Sequence, residues 1–333
     1  MFNREEKHSR YEFLKKSSLT SIGTLIYMSV PSFVIKGYSS KSSSIELEPI
    51  LDIHQHIPYG NRNQDQLIAH QQALGITKTI LLPAGSRVRT EATHDGDSNG
   101  LAANVGNTNE AYEFVQQYPD CFLFGANEVP GLPNTVREIE KYIKLGAKVI
   151  GELKYGVACD SPEMQEIYEL AKIYDVPVLM HWQYDKYNYG FERFYKMLDK
   201  YPSVNFIGHS RTFWANIGKE FTDQTKHSYP DGKVTPGGLT DQLLRNFPNM
   251  HGDLSQTSGK YALIRDEGHA REFMDRHQNQ LLFGSDCSDM WPSVQGEVCT
   301  QGNPILEAIR RLSPTKKIER KILYENAKKL FKL

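Results

Sequence analysis

From residue 49 onward the chain alternates short apolar runs with longer stretches whose apolar positions recur every three and four residues. The short runs are 50–56, 78–83, 121–128, 148–155, 178–182, 205–209, 250–255 and 281–286. Their near-continuous apolarity and many β-branched residues are those of strands buried on both faces, as in parallel sheets. Stretches 63–74, 108–118, 134–145, 162–174, 191–201, 239–247, 260–276 and 304–312 carry the spacing of amphipathic helices. Boundary residues agree with this division. Ser161-Pro162-Glu163 offers an N-cap followed by proline at the first helical position, and Gly75 and Gly146 stand where helix C-caps are wanted. A last helix is expected over 315–331, after Ser313-Pro314. Strand and helix repeated eight times predict an α/β fold, a (β/α)8 TIM barrel in one domain. An open doubly wound sheet is the rival, and it lacks the glycine-rich phosphate loop after the first strand.

The first 44 residues stand outside this alternation and are expected to be a targeting segment and linker, leaving 45–333 as the barrel domain. Arg4, Lys7, Arg10, Lys15 and Lys16 make a basic start, diluted by Glu5, Glu6 and Glu12. A moderately apolar run over 19–35 follows, broken by Gly23 and Pro31, and then a serine-rich stretch over 39–44. Ser9-Arg10-Tyr11-Glu12-Phe13-Leu14-Lys15 resembles the twin-arginine export motif of bacteria, with Tyr11 where the second arginine belongs. Export to a periplasm is the expectation, and a cytoplasmic enzyme with an N-terminal tail is the alternative. A retained membrane anchor is a further alternative, against which stand the shortness of the run and its breaks. A net charge of −1 gives no electrostatic reason to expect nucleic acid. A mean hydropathy of −0.53 excludes a polytopic membrane protein. Cysteines 121, 159, 287 and 299 show no Cys-x-x-Cys spacing, so no zinc or disulfide framework is legible.

The polar residues that interrupt the apolar runs gather at the strand ends. Leu51-Asp52-Ile53-His54-Gln55-His56 places imidazoles at i and i+2, which a strand sends to the same face. Burying such a ring without a partner costs roughly 1–3 kcal/mol, and one metal ion satisfies both. Glu152 lies on the fourth candidate strand and His181 on the fifth; His209 ends the sixth and Asp286 the eighth. The carboxyl ends of barrel strands share one face, where barrel enzymes keep their sites. His54, His56, His181, His209 and Asp286 therefore make one metal site if the fold is a barrel. Asp52 is expected behind an imidazole, orienting it. Arg87, Arg89, His94, Asp95 and Asp97 follow the second strand, and Trp291 the eighth. Trp182, Arg211 and Trp214 are the candidate substrate contacts, Arg211 being suited to a bidentate carboxylate clamp.

The Asp-x-His-x-His strand, His181, Gly208-His209, Gly284-Ser285-Asp286 and Tyr324-Glu325-Asn326-Ala327 before Leu330-Phe331 together resemble the amidohydrolase superfamily over residues 49–333. The nearest likeness is to its amidohydrolase-related branch, which includes aromatic-acid decarboxylases and sugar or dicarboxylate lactonases. The resemblance implies a barrel dependent on divalent metal, typically Zn2+ and sometimes Mn2+, with one or two ions. It implies His54 and His56 as first-strand ligands and His181 as the strand-five ligand. Asp286 would touch the metal or its water and move a proton. His209 would act as acid–base group or substrate polariser, or bind a second metal. Glu152 resembles the strand-four glutamate of TatD-type nucleases, which can bridge to a second metal. The expected reaction is hydrolysis of a small ester, lactone or amide. Alternatives are non-oxidative decarboxylation of a hydroxy- or aromatic acid, a TatD-like nuclease disfavoured by the lack of basic excess, and a non-catalytic metal-binding barrel. The expected partner is a small molecule, with no nucleic acid and no stable membrane partner. Barrels of this branch often form homo-oligomers.

Overall fold

Among the described residues of the computed structural model, eight strands follow one another: β1 (Leu51–Gln55), β2 (Lys78–Leu81), β3 (Phe122–Phe124), β4 (Ile150–Leu153), β5 (Val178–His181), β6 (Phe206–His209), β7 (Met250–Asp253) and β8 (Leu281–Leu282). The structure describes residues 48–333 apart from 94–95, 97–99, 102–103, 222–228 and 291–298. The expected signal-like segment, His94, Asp95, Asp97 and Trp291 lie outside the described residues. Helices separate the strands: α1 (Gln64–Leu74), α2 (Thr108–Gln117), α3 (Thr135–Lys144), α4 (Pro162–Tyr174), α5 (Tyr195–Lys200), α6 (Ser210–Ala215), α7 (Leu239–Asn246), α8 (Gln256–Ile264), α9 (Glu267–Arg276) and α10 (Gly302–Leu312). The chain ends in α11 (Lys316–Arg320), a π-helical turn (Lys321–Glu325) and α12 (Asn326–Leu330).

All strand pairs are parallel, in the orders β1-β2-β3 and β4-β5-β6-β7-β8. Beyond β3, the Ala126 N–H donates to Val149 O at 2.8 Å and the Gly151 N–H to Ala126 O at 2.9 Å. From β1, the Ile53 N–H donates to Phe283 O at 3.1 Å, and His54 O accepts from the Asp286 N–H at 2.8 Å. Backbone bonds thus run between β3 and β4 and between β1 and the chain just after β8.

Local chemistry explains the elements. Asn63 with Gln66, and Asn107 with Glu110, form reciprocal capping boxes that start α1 and α2. An inner apolar cluster of Leu51, Ile53, Ile80, Leu82, Val149, Leu179, Ile207 and Leu282 packs with Ala327 and Phe331 from the C-terminal helices. Leu179 and Ile207 stand two residues before His181 and His209, hence on the same strand faces. The imidazoles are therefore the next layer above an apolar plug. A larger cluster, with Phe122, Tyr168, Phe206, Met250 and Phe273, joins strands to helices. In that outer layer, Asp241 of α7 is fully buried, with His277 Nε2 at 2.6 Å, Arg276 Nε at 3.0 Å and Arg245 Nη2 at 2.9 Å.

The structure departs from the sequence pattern at several points. The expected helix 260–276 is two helices, because the Asp266 side chain accepts from the His269 N–H and starts α9. The expected strand 281–286 pairs only at Leu281 and Leu282. The expected helix 315–331 contains the π turn.

Candidate metal centre

Five side chains from four strand ends converge as two buried groups that share His54: His54 with Glu152 and His209, and His54 with His56 and Asp286, the donor atoms of each lying within 4.8 Å of one another. His54 Nε2 lies 3.6 Å from Glu152 Oε2 and 3.8 Å from Asp286 Oδ1. His56 Nε2 lies 3.6 and 3.5 Å from the same two atoms. His209 Nε2 lies 3.8 Å from Glu152 Oε1 and 3.7 Å from Asp286 Oδ2. Donors held about 2.1 Å from a tetrahedral cation are about 3.4 Å apart, so the histidine–carboxylate separations within either group need only slight contraction to hold an ion.

The far side of each ring fixes which nitrogen faces inward. His56 Nδ1 is 2.6 Å from Leu82 O, a pure acceptor, so Nδ1 carries the proton and Nε2 keeps a lone pair. His54 Nδ1 is 2.6 Å from Asp253 Oδ2. His209 Nδ1 is 3.0 Å from Ser255 Oγ and 3.3 Å from the same Asp253 oxygen. Three Nε2 atoms thus converge with two carboxylates. His54 Nε2 is fully buried and makes no hydrogen bond among the described residues. A buried, unpartnered ring nitrogen facing carboxylates calls for positive charge between them, as a metal ion or as a proton on the ring.

The charges agree. Burial alone would raise Glu152, but His181 and His54 hold its carboxyl well below the usual range. Burial likewise opposes ionisation of Asp286, and His54, His56 and His209 override it. Asp253 is depressed against its burial by His54 and His209. For His54, burial works against protonation, yet Asp286 and Asp253 outweigh it and push the pKa well up. Three ionised carboxylates in a dry site require positive charge, from protons on imidazole or from a divalent ion.

His181 stands differently from its expected place. Its Nδ1 is 2.5 Å from Glu152 Oε1, and its Nε2 lies 2.9 Å from Ser210 Oγ and 3.3 Å from Gln183 Oε1. Burial and the Lys154 cation push its pKa down to about 3. A neutral ring then donates from Nδ1 to Glu152 and accepts from Ser210. His181 holds Glu152 from behind, and His209 has its Nε2 in the cluster. Two positive-φ non-glycine residues flank the centre, Asp286 at φ 45° and Ser210 at φ 78°.

Other expected residues part from the centre. Asp52 orients no imidazole; it accepts from the His54 and Ser285 N–H groups at 3.0 and 2.9 Å and ties β1 to the chain after β8. Trp182 alternates with His181 and so faces the helices, between Phe191 and Phe194 at ring distances of 4.9 and 4.8 Å. Trp214 donates from Nε1 to Asp253 O at 2.7 Å and packs over Gly252, so both indoles are core. The Arg211 guanidinium lies 5.0 Å over the Tyr229 ring. A cavity of about 530 Å³ lined by Gln183, Tyr187, Phe191 and Thr212 opens beside His181.

Two residues at the centre escaped the sequence reading. Tyr59 donates to Asp286 Oδ1 at 3.0 Å and sets its ring edge-on to His56. Asp253 ends β7 beside His209, since Gly208 pairs with Gly252. The rule that found His209, a polar group closing an apolar strand, applies equally to Asp253. Asp253→Asn is expected to lower metal affinity about 10–100-fold, read by competition with a chromophoric chelator; an unchanged affinity would refute its orienting role.

No family model and no curated protein matches the chain. Solved structures share its fold. A probable 2-pyrone-4,6-dicarboxylic acid hydrolase from Acinetobacter baumannii aligns over 85% of this chain and 99% of its own, with 15% identity and a TM-score of 0.52. An uncharacterised TIM-barrel protein from Bordetella bronchiseptica covers 85% and 98%, with 13% identity and a TM-score of 0.56. A 2,6-dihydroxybenzoate decarboxylase covers 86% and 100%, with 15% identity and a TM-score of 0.53. The likeness is one of fold: parallel strands alternating with helices, as in these TIM-barrel structures.

Proposed function

We propose that this chain is a metal-dependent hydrolase of the amidohydrolase superfamily, built on a closed (β/α)8 barrel and acting on a small ester, lactone or amide. The convergence of three oriented Nε2 atoms and two ionised carboxylates carries the reading. Closure is supported by the backbone bonds between β3 and β4 and between β1 and the chain after β8. His54, His56, His209, Glu152 and Asp286 would hold the ion, and imidazole with carboxylate suits zinc, with manganese the alternative. A divalent cation supplies Lewis acidity there, polarising a carbonyl and acidifying water. Asp286, its Oδ1 fixed by the Tyr59 hydroxyl, takes the proton of the attacking water and returns it to the leaving oxygen or nitrogen. His181 and Asp253 keep Glu152, His54 and His209 in place. The basic, then apolar N-terminal segment supports an exported enzyme, checked by cell fractionation.

A second reading, non-oxidative decarboxylation of a hydroxy- or aromatic acid, uses the same donors. Lys154 favours it: its ammonium lies 5.2 Å over the Tyr187 ring and close enough to depress His181, a cation beside the centre for a substrate carboxylate. Sharing a fold with 2,6-dihydroxybenzoate decarboxylase is compatible with it.

Elemental analysis of protein purified without added metal tests both, beside parallel assays for hydrolysis and CO2 release. His54→Ala is expected to lose about one equivalent of divalent metal relative to the unsubstituted protein. Equal metal content in the two would sink the proposal. Hydrolysis without CO2 release selects the first reading; CO2 release without hydrolysis selects the second.

A further inference from the structure

A second cluster of metal-ligating side chains lies apart from the centre described above. His70 of α1, Cys287 immediately after Asp286, and Cys299 just before α10 bring one donor atom each within 4.8 Å of one another, and all three residues are buried. Apart from the Cys299 thiol beside it, neither ring nitrogen of His70 meets a hydrogen-bond partner among the described residues. A wholly buried imidazole left so costs roughly 1–3 kcal/mol, and nothing in the fold of α1 requires a histidine there. Both cysteines are free thiols. Cys299 Sγ accepts from the Gly302 N–H at 2.9 Å, the kind of bond that steadies a thiolate ligand. A side chain at residue 302 would press on this arrangement, its Cβ meeting Ser285 Cβ at 2.8 Å and Cys299 Sγ at 3.3 Å. Asp289, two residues after Cys287, is fixed by Thr300, whose N and Oγ1 donate to its carboxylate at 2.6 and 2.8 Å.

We propose that His70, Cys287 and Cys299 form a buried site for a soft divalent cation, zinc above all, with Asp289 or water as the fourth ligand. Thiolate and imidazole are zinc's preferred donors, and in a tetrahedral site they stand about 3.5–3.8 Å apart. The observed spread therefore calls for inward movement of no more than about 1 Å. Binding releases the two thiol protons to solvent, and the two thiolates then offset the charge of the ion beside a neutral imidazole. The rival is a Cys287–Cys299 disulfide, which would leave both His70 nitrogens as unsatisfied as before. The site has a structural use. It clamps the chain that leaves β8 to α1, and Cys287 adjoins Asp286, so the clamp holds in place a carboxylate of the other centre. Arg62 adds to it by donating to Cys287 O and His56 O.

This inference stands apart from the functional reading, and cobalt tests it separately. Full-length protein is stripped with a chelator and reloaded with Co2+. The expected result is a near-ultraviolet thiolate-to-cobalt charge-transfer band, which His and carboxylate ligands alone cannot give. The band should persist in His54→Ala and vanish in Cys299→Ser and His70→Ala. Denatured, unreduced protein should titrate all 4 cysteines as thiols. Absence of the band in the unsubstituted protein overturns the proposal whatever the variants do. So does a shortfall of two thiols, which would mark the disulfide.

Discussion

Asp286→Asn should lower turnover by about 10²–10⁴-fold while the protein stays folded and keeps its metal. The substitution preserves shape, so an amide oxygen can still accept from Tyr59, which now reaches Oδ1 at 3.0 Å. His54, His56, His209 and Glu152 remain as donors. What disappears is the negative charge and the ability to take a proton at this atom. The defect should therefore fall on kcat, with KM changed little. Tyr59→Phe supplies the graded control: it removes one hydrogen bond to the carboxylate, worth about 0.5–1.5 kcal/mol, and should cost roughly 2–10-fold. Steady-state kinetics on whichever ester, lactone or amide is turned over, with metal content measured on the same samples, checks both. Asp286→Asn retaining more than a tenth of the activity would remove Asp286 from the proton path.

The same pair of variants shows how far a sequence carries such a site. His54 and His56 were legible because strand periodicity dictates that i and i+2 share a face, and both Nε2 atoms do reach the cluster. Glu152, His181, His209 and Asp286 were legible as strand-end polar groups. Their division of labour was not. Whether His181 or His209 turns a nitrogen inward depends on what the other nitrogen meets. Only the fold places Ser210 and Glu152 against His181, and Asp253 and Ser255 against His209. Trp182 follows a ligand-like histidine in sequence but faces away from it, as strand alternation requires. Loops and helix breaks were the least legible, since Asp266 ends one helix and starts another through a side-chain bond no apolar period records. His70, Cys287 and Cys299 are far apart in sequence, so their meeting has no spacing signature at all.

Loss of Asp241 should strike the fold and spare the chemistry. Asp241 lies in the outer layer, 1% exposed, and takes hydrogen bonds from His277, Arg276 and Arg245. Breaking a buried ion pair from one side costs about 3–5 kcal/mol; here Arg276 and Arg245 reach solvent and regain hydration, which puts the loss near the low end of that range. In a domain of this size Asp241→Ala should lower Tm by roughly 10 °C. Folded molecules should keep their metal and their kcat, since the network touches none of the donors at the centre. The pH dependence follows from the same group. Burial opposes its ionisation, but His277 and Arg276 more than compensate and pull its pKa down to about 2 from an ordinary 3.8. A pKa depressed in the folded state means stability that is whole above about pH 4 and drains away as pH falls toward 2. Asp241→Asn, which cannot ionise, should flatten that part of the acid profile. Thermal melts of the three proteins from neutral pH down to about pH 3, paired with activity at neutral pH, separate the cases. Parallel melting curves for Asp241→Asn and the unsubstituted protein across that range would show that the acid sensitivity resides elsewhere, with the carboxylates of the metal centre the next candidates.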